Sequence, residues 1–129
     1  MNYFITSILT VYFLLTSIFN VPFQEIEDAF SKGDAVSLVA LGAPKILISI
    51  EGTEGVHSKS QGTQILSNFF KTHPPKSFKF TFKGKNEGAT SFAVGTYTST
   101  NGKFRVSIKF KKFGETHKIE SITVNAVSE

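Results

Sequence analysis

Residues 92–110 have the sequence FAVGTYTSTNGKFRVSIKF. Asn101-Gly102 is a dipeptide typical of a tight β-hairpin turn, and the alternating apolar residues on both sides of it predict two antiparallel strands. Successive side chains of a strand point to opposite faces, so each strand presents one face to a core. Ala93, Gly95 and Tyr97 are predicted to face outward. The predicted inward positions are Phe92, Val94, Thr96, Phe104, Val106, Ile108 and Phe110.

Neighbouring segments extend this period of two. Residues 78–83 alternate Phe with Lys or Thr, which predicts a strand with Phe78, Phe80 and Phe82 in the core. Alternating apolar residues also predict a strand at 122–126 and, nearer the N-terminus, another at 46–50. The sequence therefore predicts a sheet built largely from consecutive strands in the C-terminal half.

Two helices are predicted before the first of these strands. The first helix begins at Pro22, has apolar residues at helical spacing, and ends at Gly33, a residue that suits the left-handed end of a helix. Asp34 can cap a second, short helix. Pro44 lies beyond the end of that helix.

A third helix is predicted to begin near Ser58. Ser58, with Gln61 three residues later, forms a capping box, and Pro74-Pro75 ends the helix because proline lacks an amide donor. Residues 51–57, which contain two Gly, are predicted to be a loop between the first strand and this helix.

The order of elements is helix, helix, strand, helix and then a run of strands. Helices with one apolar stripe must cover one face of such a sheet, while its other face stays open to solvent. The sequence therefore predicts an α+β fold in which helices pack on one face of a strongly curved antiparallel sheet, forming a cone-shaped roll.

Four stretches of the chain carry a resemblance to known proteins. They are residues 30–35 (FSKGDA), 58–61 (SKSQ), 65–79, which include Phe69-Phe70 and Pro74-Pro75, and 100–106 (TNGKFRV). The layout, over nearly all of residues 22–126, resembles the nuclear-transport-factor-2-like superfamily of cystatin-like α+β folds. More narrowly, it resembles a family of small exported Bacteroidetes domains of unknown function. The resemblance implies a fold and an export route, and it supplies no functional residues.

The N-terminal segment is distinct from the rest of the chain. Residues 3–19 contain no charged side chain and are almost wholly apolar, as in a segment for export or anchoring. We expect residues 1–20 to be a signal peptide cleaved near Asn20 or Val21, and residues 21–129 to form a single domain that is periplasmic or secreted. A retained inner-membrane anchor is the alternative, because the segment lacks a basic start.

The net charge of +4 conceals a polarity along the chain. Residues 71–118 carry eleven Lys or Arg against two Glu, a net charge of +9, whereas residues 22–70 carry a net charge of −3. On the predicted strands, the cations alternate with the Phe residues and so share the open face. The candidate binding residues on this face are Lys79, Lys83, Arg105, Lys109, Lys111 and Tyr97.

A basic face on an exported domain suits an anionic partner, here anionic lipid or acidic polysaccharide. Ordinary solubilising charge is the alternative explanation. Export separates the domain from most nucleic acid, so we expect no nucleic-acid partner. Membrane contact is expected only through the basic face or a retained N-terminal segment. Repulsion between like charges leads us to expect a monomer, or a homodimer formed through an edge or flank.

The predicted inward positions contain no acid, base or nucleophile, so we expect a non-enzymatic binding module without catalytic residues. The alternative is a small enzyme or small-molecule-binding protein that uses the mouth of the cone. Its candidate residues are Glu51, Glu54 and His57 in the predicted loop, because rim loops often carry function. The His residues are widely spaced and the chain has no Cys, so we expect neither a metal site nor a cofactor.

Overall fold

A computed structural model describes residues 21–84 and 90–128, apart from the side chain of Thr90. Its helices are α1 (Phe23–Lys32), α2 (Ala35–Ala40) and α3 (Lys59–Thr72). Its strands are β1 (Gly42–Ile50), β2 (Thr53–Ser58), β3 (Pro75–Lys83), β4 (Thr90–Ser99), β5 (Gly102–Phe113) and β6 (Thr116–Ala126). The predicted export segment, residues 1–20, lies outside the described residues. Among the helices in the described ranges, none has the length and apolarity needed to cross a membrane.

The six strands form one sheet in the order β2-β1-β6-β5-β4-β3. β1 and β6 run parallel, whereas every other neighbouring pair is antiparallel. The sheet is curved and does not close, and α1, α2 and α3 pack against one of its faces. The predicted α+β fold is therefore confirmed, with one parallel pair in the sheet.

The helix ends follow the local sequence. Asp34 caps α2 by accepting a hydrogen bond from the backbone N of Ser37, and bonding to Ser37 lowers the pKa of the Asp34 carboxyl. At the start of α3, Gln61 N donates to Ser58 Oγ and Ser58 N donates to Gln61 Oε1, which confirms the predicted capping box. Gly33 ends α1 at a φ of 67°, in the left-handed region.

The prediction of a loop at residues 51–57 is wrong, because most of this segment forms the edge strand β2. Glu51 and Gly52 form a two-residue turn with φ values of 51° and 88°. Positive φ at both central residues is the pattern of the I′ turns that match strand twist in hairpins. β2 has three exposed and three half-buried residues and lacks an alternating apolar pattern, so its sequence gives little indication of a strand.

The predicted faces of β4 are reversed. Ser99 pairs with Gly102, so Tyr97 lies opposite Phe104 and shares its face of the sheet. A two-residue turn thus places odd-numbered residues of β4 beside even-numbered residues of β5. Tyr97 is 0% exposed, whereas Phe92, predicted to be inside, is 51% exposed.

The small residues of β4 face inward, and at Gly95 a side chain of the neighbouring strand β3 fills the space that a larger residue would need. A Cβ atom at Gly95 would lie 2.5 Å from Cζ of Phe78, so the Phe78 ring occupies this position. Ala93 is buried on the same face. Val94 and Thr96, which were predicted to face the core, lie half-buried on the opposite face.

β3 changes face at a β-bulge between Phe80 and Phe82. Phe80 packs edge to face against Phe23 of α1, with ring centres 5.3 Å apart. Phe82 instead pairs with Val94 and is 50% exposed on the opposite face. Lys83 returns to the helix side, where its Nζ lies 5.0 Å from the centre of the Phe23 ring. The predicted alternation therefore fails at the third Phe.

The core lies between the helices and the sheet and is rich in aromatic rings. Phe30 of α1 stacks on Phe78 of β3, with ring centres 4.5 Å apart. Phe69 of α3 meets Phe104 of β5 edge to face at 5.2 Å. Such pairs contribute beyond their buried area, so they fix the helices on this face of the sheet.

Candidate binding face

The face of the sheet opposite α1, α2 and α3, here called the helix-free face, carries outward side chains from several strands. One row contains Lys79, Thr96, Arg105 and Asn125, each paired with the next across neighbouring strands. Lys79 and Arg105 are both exposed. Two cations therefore flank Thr96 at this level of the sheet.

Two central rows combine aromatic, hydroxyl and basic side chains. Phe82 and Phe92 belong to different rows and adjoin each other, with ring centres 5.3 Å apart. Across successive strands, one row contains Phe82, Val94, Ser107 and Thr123. The other row contains Phe92, Lys109, Ser121 and Leu47.

Further cations lie toward the turn between β5 and β6. Lys111 pairs with Lys118, and their ammonium groups lie 5.9 and 5.6 Å from the centre of the Phe113 ring. Attraction to the ring face offsets part of the repulsion between the two ammonium groups. The helix-free face thus has cations on both sides of its two central rows.

An open groove of about 520 Å³, here called the Phe82–Phe92 groove, lies along the central rows. Side chains that line it include Phe82, Phe92, Ser107, Lys109, Ser121 and Thr123. A second groove of about 330 Å³ shares Lys109 and Ser121 with the first and is also lined by Lys45, Leu47, Val56 and Glu120. Both volumes lie within the roughly 300–1,000 Å³ of small-ligand sites. Lys109 therefore stands where the two grooves meet.

The structure separates the predicted basic-face residues into two groups. Lys79, Arg105, Lys109 and Lys111 are exposed on the helix-free face. The predicted positions of Lys83 and Tyr97 on this face are wrong. Lys83 follows the bulge of β3 to the helix side. Tyr97 follows the hairpin register into the core, where burial raises its pKa to about 12.

The alternative rim residues do not share one surface. Glu51 occupies the turn between β1 and β2, where its carboxylate accepts a hydrogen bond from the backbone N of Ala126 at 2.7 Å. This bond ties the end of β6 to the turn. Glu54 and His57 lie an odd number of positions apart on β2 and so point to opposite faces. The geometry gives no convergence of the three side chains.

The exposed Phe pair and the hydroxyl groups beside it were not predicted from the sequence. The exposure of Phe92 could have been predicted from the sequence, because a two-residue turn that places Phe104 inside must place Phe92 outside. The exposure of Phe82 could not have been predicted, because the regular alternation of residues 78–83 gives no sign of the bulge. Ser107 and Ser121 become candidate binding residues only because the structure places them in the same groove as the two Phe rings.

The arrangement of helices over one face of a curved sheet is similar to that of solved nuclear-transport-factor-2-like and cystatin-like folds. A domain of unknown function with a cystatin-like fold from Nostoc punctiforme has a TM-score of 0.65 at 13% identity, covering 82% of this chain and 73% of that chain. A protein described as "Rd1NTF2_04 with long sheet" has a TM-score of 0.64 at 12% identity, covering 79% and 94% respectively. These likenesses show the fold alone.

The chain belongs to the DUF4783 family, whose model, described as a domain of unknown function, matches residues 23–125. A crystal structure of a DUF4783 family protein from Bacteroides uniformis has a TM-score of 0.79 at 26% identity, covering 85% of this chain and 100% of that chain. No curated protein matches the sequence. The predicted resemblance is confirmed, and the predicted export stays a prediction.

Proposed function

We propose that this protein is an exported, non-enzymatic binding module that holds an anionic component of the cell envelope on its helix-free face. The observation that carries the proposal is the shared position of Lys79, Arg105, Lys109 and Lys111, all exposed on that face. Cations concentrated on one surface raise the local concentration of anions and the rate of association.

The opposite side of the molecule supports this assignment. Glu25, Asp28 and Asp34 line a groove formed by α1 and α2, in company with Lys32. α1 and the Asp34 cap of α2 together carry four acidic residues against Lys32, a net charge of −3, whereas the charged residues of α3 are Lys59 and Lys71. An extended anionic partner is therefore attracted to the helix-free face and repelled from the groove between α1 and α2, which sets its orientation.

The partner's chemistry is a repeated carboxylate, phosphate or sulfate group, as found in acidic polysaccharides and in lipid headgroups. Exposed ammonium and guanidinium groups bind such anions through charge-assisted contacts. Salt screens these contacts over about 10 Å at 0.1 M, so binding weakens as ionic strength rises.

A charge-reversal variant tests the proposal. Replacing Lys79, Arg105 and Lys109 together with Glu places repulsive charge along β3 and β5. We expect its affinity for oligogalacturonate, or for phosphatidylglycerol vesicles, to fall by about tenfold or more at low salt. Binding is measured by calorimetry for the sugar and by co-sedimentation for the vesicles.

The matched control replaces Lys32, Lys59 and Lys71, which are exposed on α1 and α3, with Glu. It has the same net charge as the first variant but an unchanged helix-free face, so it should bind more tightly than that variant. Circular dichroism verifies that both variants fold. Equal losses in the two variants, or a wild-type protein that binds neither probe at low salt, would contradict the proposal.

A further inference from the structure

We infer that the Phe82–Phe92 groove binds the acidic sugar units of a polysaccharide, with sugar rings against the two Phe side chains and a sugar carboxylate on Lys109. This inference rests on the proposed function and names its ligand.

The aromatic pair is the first reason to infer a sugar. Phe82 and Phe92 are 50% and 51% exposed, and their rings are inclined by only 33° to each other. They form a shared apolar surface that stays in contact with water in the free protein. One face of a pyranose ring presents C–H groups, which pack well on such a surface and remove it from water.

Hydroxyl groups beside the rings are the second reason. Ser107 on β5, with Ser121 and Thr123 on β6, lines the same groove as the Phe pair. Each hydroxyl is both a donor and an acceptor, as sugar hydroxyls are. An apolar platform with a few polar groups at its side is the usual composition of a site that orients a small ring.

The position of Lys109 selects an acidic sugar. Lys109 lies directly opposite Phe92, and side chains paired in this way have Cβ atoms about 4.5–5.5 Å apart. A sugar ring packed on Phe92 therefore brings its carboxylate within reach of the Lys109 ammonium group. Lys111 and Arg105 lie on β5 on either side of Lys109, about 7 and 13 Å away at about 3.3 Å per residue. Successive acidic units of one chain can meet these cations.

The groove favours a polysaccharide over a bilayer. An inserting surface needs apolar side chains that stand clear of polar groups, but here the aromatic pair lines a recess that also contains hydroxyls and Lys109. Phe113, another exposed ring, lies four residues beyond Lys109 on β5, about 13 Å away along the strand. The exposed rings therefore do not form a single insertion site.

Calorimetric titration of the domain tests the inference with three probes at low salt. They are oligogalacturonate, poly-L-glutamate at matched carboxylate concentration, and phosphatidylglycerol vesicles. Polyglutamate carries the same anionic group without sugar rings. We expect about tenfold tighter binding to oligogalacturonate than to polyglutamate, since two aromatic contacts contribute a factor of this order.

The double variant Phe82→Thr with Phe92→Thr should lose this preference while keeping salt-dependent binding to both polymers. The matched control Phe113→Thr removes an exposed Phe outside the groove and should keep the preference. Lys109→Gln should weaken oligogalacturonate binding and reduce its salt dependence.

Each remaining outcome overturns a defined part of the account. Equal binding of the two polymers by the wild type, or a preference that survives in the double variant, overturns the sugar assignment and leaves the proposed function standing. Binding of vesicles alone makes the bilayer the partner and also overturns the assignment. Absence of binding to all three probes contradicts the proposed function itself.

Discussion

Tyr97 brings a hydroxyl group into an aromatic core. Its ring contacts Phe69 and Phe70 of α3, and its hydroxyl donates a hydrogen bond to the backbone O of His73. Burial raises the pKa of Tyr97 to about 12, whereas the pKa of a tyrosine in an unfolded chain is about 10. Between about pH 10 and about pH 12, the Tyr97 hydroxyl loses its proton in the unfolded state and keeps it in the folded state. The Tyr97 contribution to stability is therefore complete below about pH 10 and is lost as pH rises toward about 12.

Tyr97→Phe tests this assignment. At neutral pH the variant should be less stable by about 1–2 kcal/mol, because His73 O loses its buried donor. Between about pH 10 and 12 its stability should fall less steeply than that of the wild type. Urea unfolding at a series of pH values measures both effects. Parallel pH profiles for the two proteins would place Tyr97 in water instead.

At the scale of the elements, the hairpin of β4 and β5 decides which side chains reach the helix-free face. Within this hairpin, Gly95 has no room for a side chain, since an added Cβ would lie 2.5 Å from Phe78 Cζ and 2.9 Å from Lys79 O. We expect Gly95→Ala to lower the free energy of unfolding by about 1–3 kcal/mol through overpacking. Val94→Thr, on the opposite face, should change it by less than about 0.5 kcal/mol. Urea unfolding that reverses this order would contradict the face assignment of β4.

The elements also show what local sequence can predict. Asp34, the Ser58 capping box and Pro74 act within a few residues, so helix ends could be predicted from them. The face of a strand depends on its partner. β4 was assigned from its own larger residues, although the turn at residues 100–101 couples its parity to that of β5.

The candidate site was only partly predictable for the same reason. Arg105 and Lys109 lie on β5, where the alternation holds throughout, and they were placed correctly. Lys83 follows a bulge, which arises from pairing with β4 and cannot be seen in β3 alone. Predicting the groove requires the order of the strands, because it is the pairing of β5 with β6 that places Ser107 beside Thr123.

At the level of the whole molecule the two sides differ, because the groove between α1 and α2 is lined mainly by acidic side chains, whereas the helix-free face exposes cations. Under the proposed function, this polarity gives the anionic partner one orientation. It also disfavours pairing of two copies through their helix-free faces, which would bring Arg105 and Lys109 of one copy close to those of the other. The expected monomer, or homodimer formed through an edge or flank, stays a prediction.

The position of the binding surface is tested by mapping the bound polymer onto the fold. Backbone amide chemical shifts of the domain spanning residues 21–129 would be followed by NMR during titration with oligogalacturonate at low salt. We predict that the largest changes lie in β4 and β5 around Phe92, Ser107 and Lys109 and diminish on adding salt, while the amides of α1 and α2 stay nearly unchanged. Changes confined to the groove between α1 and α2, near Glu25 and Asp28, would contradict the claim that the helix-free face is the binding surface.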